Sequence, residues 1–146
     1  MKHPIFALFF ALVIINNAIP HGLSKRSTEF YPCSLDGPQT LPLNVTMSPD
    51  PMVSGQDTTF IISGTAKTDT TIKASVAIYI YTNTSSVGSY EDRLCNVNKS
   101  CPMKDAAFKF PYTIKPESLP ADYYIAAWIQ TKIYQYCAKT HQLSSK

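Results

Sequence analysis

Residues 72–82 of the 146-residue chain read IKASVAIYIYT, and this stretch decides the class of fold. One set of alternate positions is apolar: Ile72, Ala74, Val76, Ile78 and Ile80. The intervening set is mixed: Lys73, Ser75, Ala77, Tyr79 and Tyr81. Because successive side chains of a β-strand point to opposite faces, this period of two predicts a strand with one buried face.

Shorter segments with a similar β-prone pattern lie on both sides of this strand, separated by turn-forming residues. They are residues 41–47, 58–63, 108–114, 121–130 and 133–137. Pro111 interrupts one of them, which predicts an edge strand or a bulge because proline cannot donate a ladder hydrogen bond. Residues 83–90 are polar and contain glycine, and we expect a loop there.

The N-terminus has the layout of a secretory signal peptide. Lys2 and His3 precede an apolar run, residues 4–15, and the chain then becomes polar at Asn16. A membrane anchor is the alternative, but a spanning helix needs about 20 apolar residues. We therefore expect a signal peptide over residues 1–20 and one domain over residues 27–146. Lys25 and Arg26 form a dibasic pair that is either a second processing site or a solvated turn.

Removal of the leader changes the charge balance. The whole chain has 13 Lys+Arg and 10 Asp+Glu, whereas a product starting at Ser27 has 13 − 3 = 10 basic and 10 acidic residues. Its formal net charge is zero, so nothing favours nucleic-acid binding, which requires a clustered positive surface. We expect a soluble protein that is secreted or resides in the lumen of the secretory or vacuolar pathway.

Four cysteines follow the leader, namely Cys33, Cys95, Cys101 and Cys137. An even number behind a signal peptide predicts two disulfides, for which three pairings exist. The short spacing of Cys95 and Cys101 favours a local bond, which would leave Cys33 to pair with Cys137. A zinc site is disfavoured because no C-x-x-C pair is present; we expect no metal and no cofactor.

Strands at this spacing, closed by a bond between the first and last cysteines, predict an all-β, immunoglobulin-like antiparallel β-sandwich of two sheets. Antibody domains carry a tryptophan in an early strand between their cysteines. Here Trp128 lies in a late strand, which disfavours a standard antibody-type domain. Three sequons, at Asn44, Asn83 and Asn98, predict N-glycosylation on exposed edges or loops.

Four motifs, taken in order, resemble the ML (lipid-recognition) domain family. Residues 48–55 (SPDPMVSG) with 59–64 (TFIISG) resemble its opening motif, and 92–95 (DRLC) with 101–103 (CPM) resemble its central cysteine motif. Residues 119–125 (LPADYYI) resemble its tyrosine strand, and Cys137 falls at its final cysteine. The resemblance spans about residues 30–140. The cysteine set is most similar to that of the fungal phosphatidylglycerol/phosphatidylinositol transfer proteins, and the family also includes Niemann-Pick C sterol carriers.

The resemblance implies a sandwich whose sheets part around a lipid, with Cys33–Cys137 and Cys95–Cys101 disulfides. It implies an apolar cavity between the sheets that holds a phospholipid or a sterol. It also implies that the protein carries this lipid between membranes, which it contacts transiently. Strand alternation supplies the candidate lipid-binding side chains: Phe60, Ile62, Val76, Ile78, Ile80, Phe108, Phe110, Tyr112, Tyr123, Ile125 and Ile129. The same alternation is equally typical of a solid core.

Two further groups of residues lie outside that set. In a regular strand Trp128 falls on the face opposite Ile125, as a surface or membrane-contacting aromatic residue, whereas a bulge would turn it inward. Lysines 99, 104, 109 and 115 cluster along the chain. They either face anionic headgroups or, as we favour, belong to a solvated surface.

Three classes of function were compared. A catalytic site would bring together histidines, free cysteines or paired carboxylates; the late His141 lies in the tail, so we expect no enzyme. The leading interpretation is a monomeric lipid-binding and transfer protein. The alternative is a secreted surface-recognition or effector domain with a solid core and no lipid.

Overall fold

The computed structural model of the protein describes residues 27–34, 40–67, 73–103 and 105–145. Ile72 and Lys104 of the sequence-based predictions, and the whole leader, lie outside these residues. Within them the chain forms ten strands and one short helix: β1 (Phe30–Pro32), β2 (Thr40–Pro42), β3 (Asn44–Ser48), β4 (Thr58–Thr65), β5 (Ser75–Tyr81), β6 (Ser86–Arg93), α1 (Leu94–Val97), β7 (Ala107–Ile114), β8 (Asp122–Gln130), β9 (Gln135–Thr140) and β10 (Leu143–Ser144).

The strands form two sheets. The larger has the order β1-β9-β8-β5-β6, with β2 also pairing with β9 and β10 with β8, and the smaller has the order β3-β4-β7. Most pairs are antiparallel, whereas β2 runs parallel to β9. The chain crosses between the sheets after β2, β4, β6 and β7. This confirms the predicted all-β, immunoglobulin-like sandwich.

The two sheets turn their apolar faces towards each other. In β7 the positions alternate strictly between exposed and buried from Ala107 to Ile114. The central strand β5 turns Val76, Ile78 and Ile80 into the same buried cluster. At about 25 cal/mol per Å² of apolar surface removed from water, this interior is the main favourable contribution to folding.

Pro111 lies in β7, which is the edge strand of the smaller sheet and pairs with β4 alone. The predicted edge position is therefore confirmed. The missing N–H of Pro111 costs no ladder hydrogen bond on the unpaired side of the strand.

The structure corrects several strand boundaries. The expected loop at 83–90 is wrong from Ser86 onwards, because Ser86–Arg93 is strand β6. This strand is at the edge of its sheet and exposes most of its side chains, so it lacks the apolar alternation that would have revealed it. The last predicted strand, 133–137, begins instead at Gln135 as β9, and Ile133 is 50% exposed. The short helix α1 after β6 was not predicted.

Candidate functional site

The eleven candidate lipid-binding side chains all lie on the inner faces of the two sheets. They come from β4, β5, β7 and β8, and their exposed fractions range from 0% at Phe60 to 7% at Phe108. All eleven belong to one continuous buried cluster. The period-two pattern thus located the side chains that face the interior.

Aromatic rings fill part of the space between the sheets. Phe108 of the smaller sheet packs edge-on against Tyr136 of the larger one, with ring centroids 6.0 Å apart. Phe108 also stacks on Phe110, again at 6.0 Å. Phe30 of β1 meets Phe60 of β4 edge-on at 6.5 Å. The Phe108–Tyr136 and Phe30–Phe60 contacts join the two sheets directly, so aromatic rings occupy part of the space between the sheets.

Sequence reasoning missed several members of this cluster. Tyr136 is 1% exposed, yet the limits predicted for β9 hid its alternation. Val45 and Met47 alternate within β3 and are also buried. Leu94 is fully buried at the start of α1, where no strand periodicity could have marked it.

Two hydroxyl groups in the interior have no hydrogen-bond partner within the described part of the chain. They are Thr58 Oγ1 and the Tyr123 phenol, and both residues are 0% exposed. Burial raises the pKa of Tyr123, and the nearby charge of Asp50 adds to this effect. A buried hydroxyl without a partner costs about 1–3 kcal/mol, so each can accept or donate a hydrogen bond to a molecule that enters.

The two lateral sides of the sandwich are tied to different extents. On the β1–β3 side, the Thr28 backbone N–H and hydroxyl donate to the Asp50 carboxylate, each at 2.6 Å. On the β6–β7 side, the Tyr90 hydroxyl donates to the Lys115 carbonyl oxygen at 3.4 Å. A 3.4 Å separation is long for an O–H···O bond and makes a weak one. Of these three hydrogen bonds among the described residues, the one on the β6–β7 side is therefore the weakest, and α1 also contacts both β6 and β7 on that side.

Acidic side chains of β6 act on Tyr112 of β7 at that weaker side. Burial raises the pKa of Tyr112 to about 12, and the charges of Asp92 and then Glu91 add to the shift. Asp92 pairs with the inward-facing Val76, whereas Glu91 pairs with Ala77 on the outer face, so Asp92 is the carboxylate on the same side of the sheet as the interior. The phenol therefore stays neutral throughout the physiological pH range.

The outer face of the larger sheet carries an open groove with a volume of about 580 Å³. This outer groove is lined by Cys33, Ser34, Ser75, Ala77, Tyr79, Tyr81, Ser86, Ala126, Trp128, Gln130 and Lys139. Trp128 therefore lies on the face opposite Ile125, as a regular strand predicts. None of the eleven inner-face candidates lines this groove.

The predicted surface residues divide into those that are exposed and one that is not. Lys99, Lys109 and Lys115 are exposed, which agrees with a solvated surface. Asn44 and Asn83 are also exposed. The expected exposure of Asn98 is wrong, because this residue is 5% exposed and its amide nitrogen is buried without a partner in the described part of the chain.

The burial of Asn98 has a local cause. It lies in the short loop closed by the Cys95–Cys101 disulfide, and its side-chain oxygen accepts a hydrogen bond from the Ser100 backbone N–H at 3.1 Å. Its backbone N–H bonds back to the Leu94 carbonyl at 2.8 Å. The loop therefore folds over the side chain, and no pattern in the sequence signals this.

Both disulfides have the pairing that the resemblance implies. Cys33–Cys137 joins the start of the domain to β9 with a Cα–Cα distance of 5.5 Å, and Cys95–Cys101 closes its loop at 5.0 Å. Among the residues described, no group of three or more His, Cys, Asp or Glu could hold a metal ion. The helix in the described ranges is too short to cross a membrane.

Comparisons with known proteins agree with this architecture. A family model for the ML domain matches residues 27–139. Among solved structures, the chain is similar to chicken MD-1, in a crystal structure of MD-1 complexed with lipid IVa. The match has a TM-score of 0.56 and 16% sequence identity, and it covers 80% of this chain and 88% of that one. No curated protein sequence gives a significant match.

Proposed function

Because the chain belongs to the ML domain family, we propose that it is a secreted carrier that holds a phospholipid or a sterol between its two sheets and moves it between membranes. One observation carries the proposal most directly: a continuous apolar interior joins the inner faces of two sheets that no hydrogen-bonded strand pair connects in the described part of the chain. The complex of MD-1 with lipid IVa supports a lipid as the occupant.

Lipid uptake requires the packed interior to open. Inner side chains such as Phe108 and Tyr136 must change rotamer, or the sheets must separate, to make room for an acyl chain. Burying about ten methylenes at about 0.8 kcal/mol each favours the loaded state by about 8 kcal/mol relative to water. Extraction of a lipid from a bilayer gains much less free energy, because its acyl chain is already in an apolar medium. Loading and release are therefore near balance, as a carrier requires.

The opening that we propose is the β6–β7 side. The side-chain hydrogen bond described there, Tyr90–Lys115, is long, and α1 contacts both edge strands, whereas the opposite side has the two short Thr28–Asp50 bonds and the Phe30–Phe60 contact. Edge strands of different sheets can move apart without breaking ladder hydrogen bonds. The Tyr90 side therefore opens at a lower free-energy cost.

The unpartnered interior hydroxyls supply polar contacts for the guest. Thr58 and Tyr123 can hydrogen bond to an ester carbonyl or a sterol hydroxyl once a lipid is inside. We propose no catalytic step for these groups, since holding and releasing a lipid involves no change in covalent bonds. The expected cofactor is none and the expected state is a monomer.

The alternative is a surface-recognition domain with a solid core, and the ring contacts between the sheets support it. A transfer assay separates the two proposals. Donor vesicles carry a self-quenched fluorescent phospholipid or sterol, and acceptor vesicles do not. A carrier raises the rate of dequenching in proportion to its concentration. A folded protein that transfers no labelled phospholipid and no labelled sterol would support the solid-core alternative.

A further inference from the structure

The outer groove has a regular arrangement of small and large side chains. In the paired strands β5 and β8, Ala77 lies opposite Trp128, and Tyr79 lies opposite Ala126. The two alanines are 4% and 6% exposed and form the floor. Each pair sets an alanine methyl group opposite an aromatic ring. The outer face of the larger sheet therefore has depressions at the alanines that are bounded by rings. A volume of about 580 Å³ is within the usual range for small-molecule sites.

The rim of the groove is polar but nearly neutral. Ser75, Ser86 and Gln130 contribute hydroxyl and amide groups, and Lys139 contributes one positive charge. Glu91 is exposed and pairs with Ala77, so it faces the same side of the sheet. Arg93 is also exposed and pairs with the groove-lining Ser75, so this face carries two positive charges and one negative charge, which give only a weak field to attract an anionic bilayer.

The chemistry of this surface selects the class of occupant. A purely alkyl ligand would dehydrate the rim hydroxyls and amide without replacing their hydrogen bonds, which is costly. A pyranose sugar has an apolar C–H face that packs on an aromatic ring and hydroxyl groups along its edge. Such a sugar ring can pack on the aromatic walls of the outer groove and hydrogen bond to its polar rim.

A source of sugar lies at one end of the groove. Asn83, an exposed sequon residue, is in the turn between β5 and β6, and Tyr81 and Ser86 on either side of this turn both line the groove. The turn is held by the Thr82 backbone N–H, which donates to the Ser85 carbonyl at 2.8 Å. Its hydrogen bonds thus fix the backbone while the Asn83 side chain faces solvent.

We infer that an N-linked glycan on Asn83 lies in the outer groove, with its first sugar rings packed on the aromatic walls. From Tyr81 to Ser75 the groove follows strand β5 for about 20 Å, at about 3.3 Å per residue. A few linked sugar rings span that length. The stacked pair Tyr81 and Tyr124, with centroids 5.3 Å apart, supports the end nearest Asn83. The inference rests on the proposed secretion and is independent of any lipid between the sheets.

Trp128 makes the inference directly measurable, because it is the only tryptophan in the chain. The protein, its Asn83→Gln variant and the matched control Asn44→Gln are secreted from a eukaryotic host, and glycopeptide mass spectrometry determines occupancy. Acrylamide quenching of Trp128 fluorescence then reports access to the groove. We expect at least a twofold larger quenching constant for Asn83→Gln and no change for Asn44→Gln.

A second measurement uses the rate at which a peptide N-glycosidase removes the glycan from the native protein. We expect Tyr79→Ser to speed removal at Asn83 several-fold and to leave removal at Asn44 unchanged. Tyr31→Ser, a change of another tyrosine outside the groove, should affect neither rate. Far-ultraviolet circular dichroism confirms that each variant is folded.

Three results would overturn the inference. The first is a secreted protein with Asn83 unmodified. The second is equal quenching in the occupied protein and in Asn83→Gln. The third is protection of Trp128 that persists in Asn83→Gln and follows added anionic vesicles or rising protein concentration, which would assign the groove to a membrane or to a second copy of the chain.

Discussion

Phe108 and Tyr136 meet edge-on across the gap between the two sheets, with ring centroids 6.0 Å apart. One ring belongs to β7 of the smaller sheet and the other to β9 of the larger. This contact lies between the two sheets, where the proposed function places the lipid. The structure therefore corresponds to the closed state of the proposed carrier, which contacts of this kind hold closed.

Replacement of Phe108 by alanine should destabilise the protein and speed lipid uptake. Removing a buried phenylalanine costs about 3–5 kcal/mol, and the space left behind lowers the cost of admitting a lipid. Urea denaturation gives the stability, and stopped-flow uptake of a fluorescent lipid gives the rate. Tyr124→Ala, which removes an aromatic ring from the outer face, is the control and should not speed uptake. Faster uptake in the control as well would contradict an internal binding site.

Replacement of Tyr90 by phenylalanine tests the proposed opening. The change removes the hydroxyl that donates to the Lys115 carbonyl and keeps the ring. We expect uptake several-fold faster, with a stability change below about 1 kcal/mol because the bond is long and weak. Thr28→Val removes a hydrogen bond on the opposite side and should leave the uptake rate unchanged. An acceleration confined to Thr28→Val would place the opening at the β1–β3 side.

Replacement of Tyr123 by phenylalanine should have opposite effects on the empty and loaded protein. Without lipid, the variant loses a buried hydroxyl that has no partner among the described residues, so its unfolding free energy should rise by about 1 kcal/mol. With lipid, it loses a hydrogen bond to the guest, and affinity should fall about tenfold. Thermal shifts with and without lipid measure both. An equal change in stability in the two states would show that the hydroxyl does not contact the lipid.

The high pKa of Tyr112 predicts a specific loss of stability in alkali. Its folded pKa, about 12, lies above the ordinary value of 10.0. Between these values the unfolded chain binds fewer protons than the folded one, so stability falls as pH rises from about 10 to about 12. In Tyr112→Phe this part of the decline should disappear. Urea midpoints at pH 9, 10 and 11 test it, and identical slopes for the two proteins would refute the assignment.

The sequence predicted which side chains lie on the inner faces of the sheets far better than it predicted whether side chains fill the space between those faces. Val76, Ile78 and Ile80 could be placed in the core because alternation reports burial directly. Strand β6 was not predicted because its exposed residues need no apolar pattern. Its position is fixed instead by pairing with β5. The burial of Asn98 depends on how the Cys95–Cys101 loop folds over it, which residue types alone do not encode.

The outer groove illustrates the same limit. The positions of Ala77, Tyr79 and Trp128 on an outer face follow from strand parity. The groove itself arises only when β5 and β8 pair in the register that sets each alanine opposite a ring. Register depends on long-range pairing, and a shift of one residue would turn every side chain to the other face.

Identification of the lipid carried by the secreted protein tests the central claim most directly. The chain is purified from the medium of a eukaryotic host without detergent, its intact mass is measured under native conditions, and the bound material is extracted with organic solvent and analysed by mass spectrometry. We expect one phospholipid or sterol per chain, which an excess of a labelled lipid displaces and which is greatly reduced in an Ile78→Asp variant that remains folded. A folded wild-type protein that carries no lipid and takes up none from vesicles would contradict it.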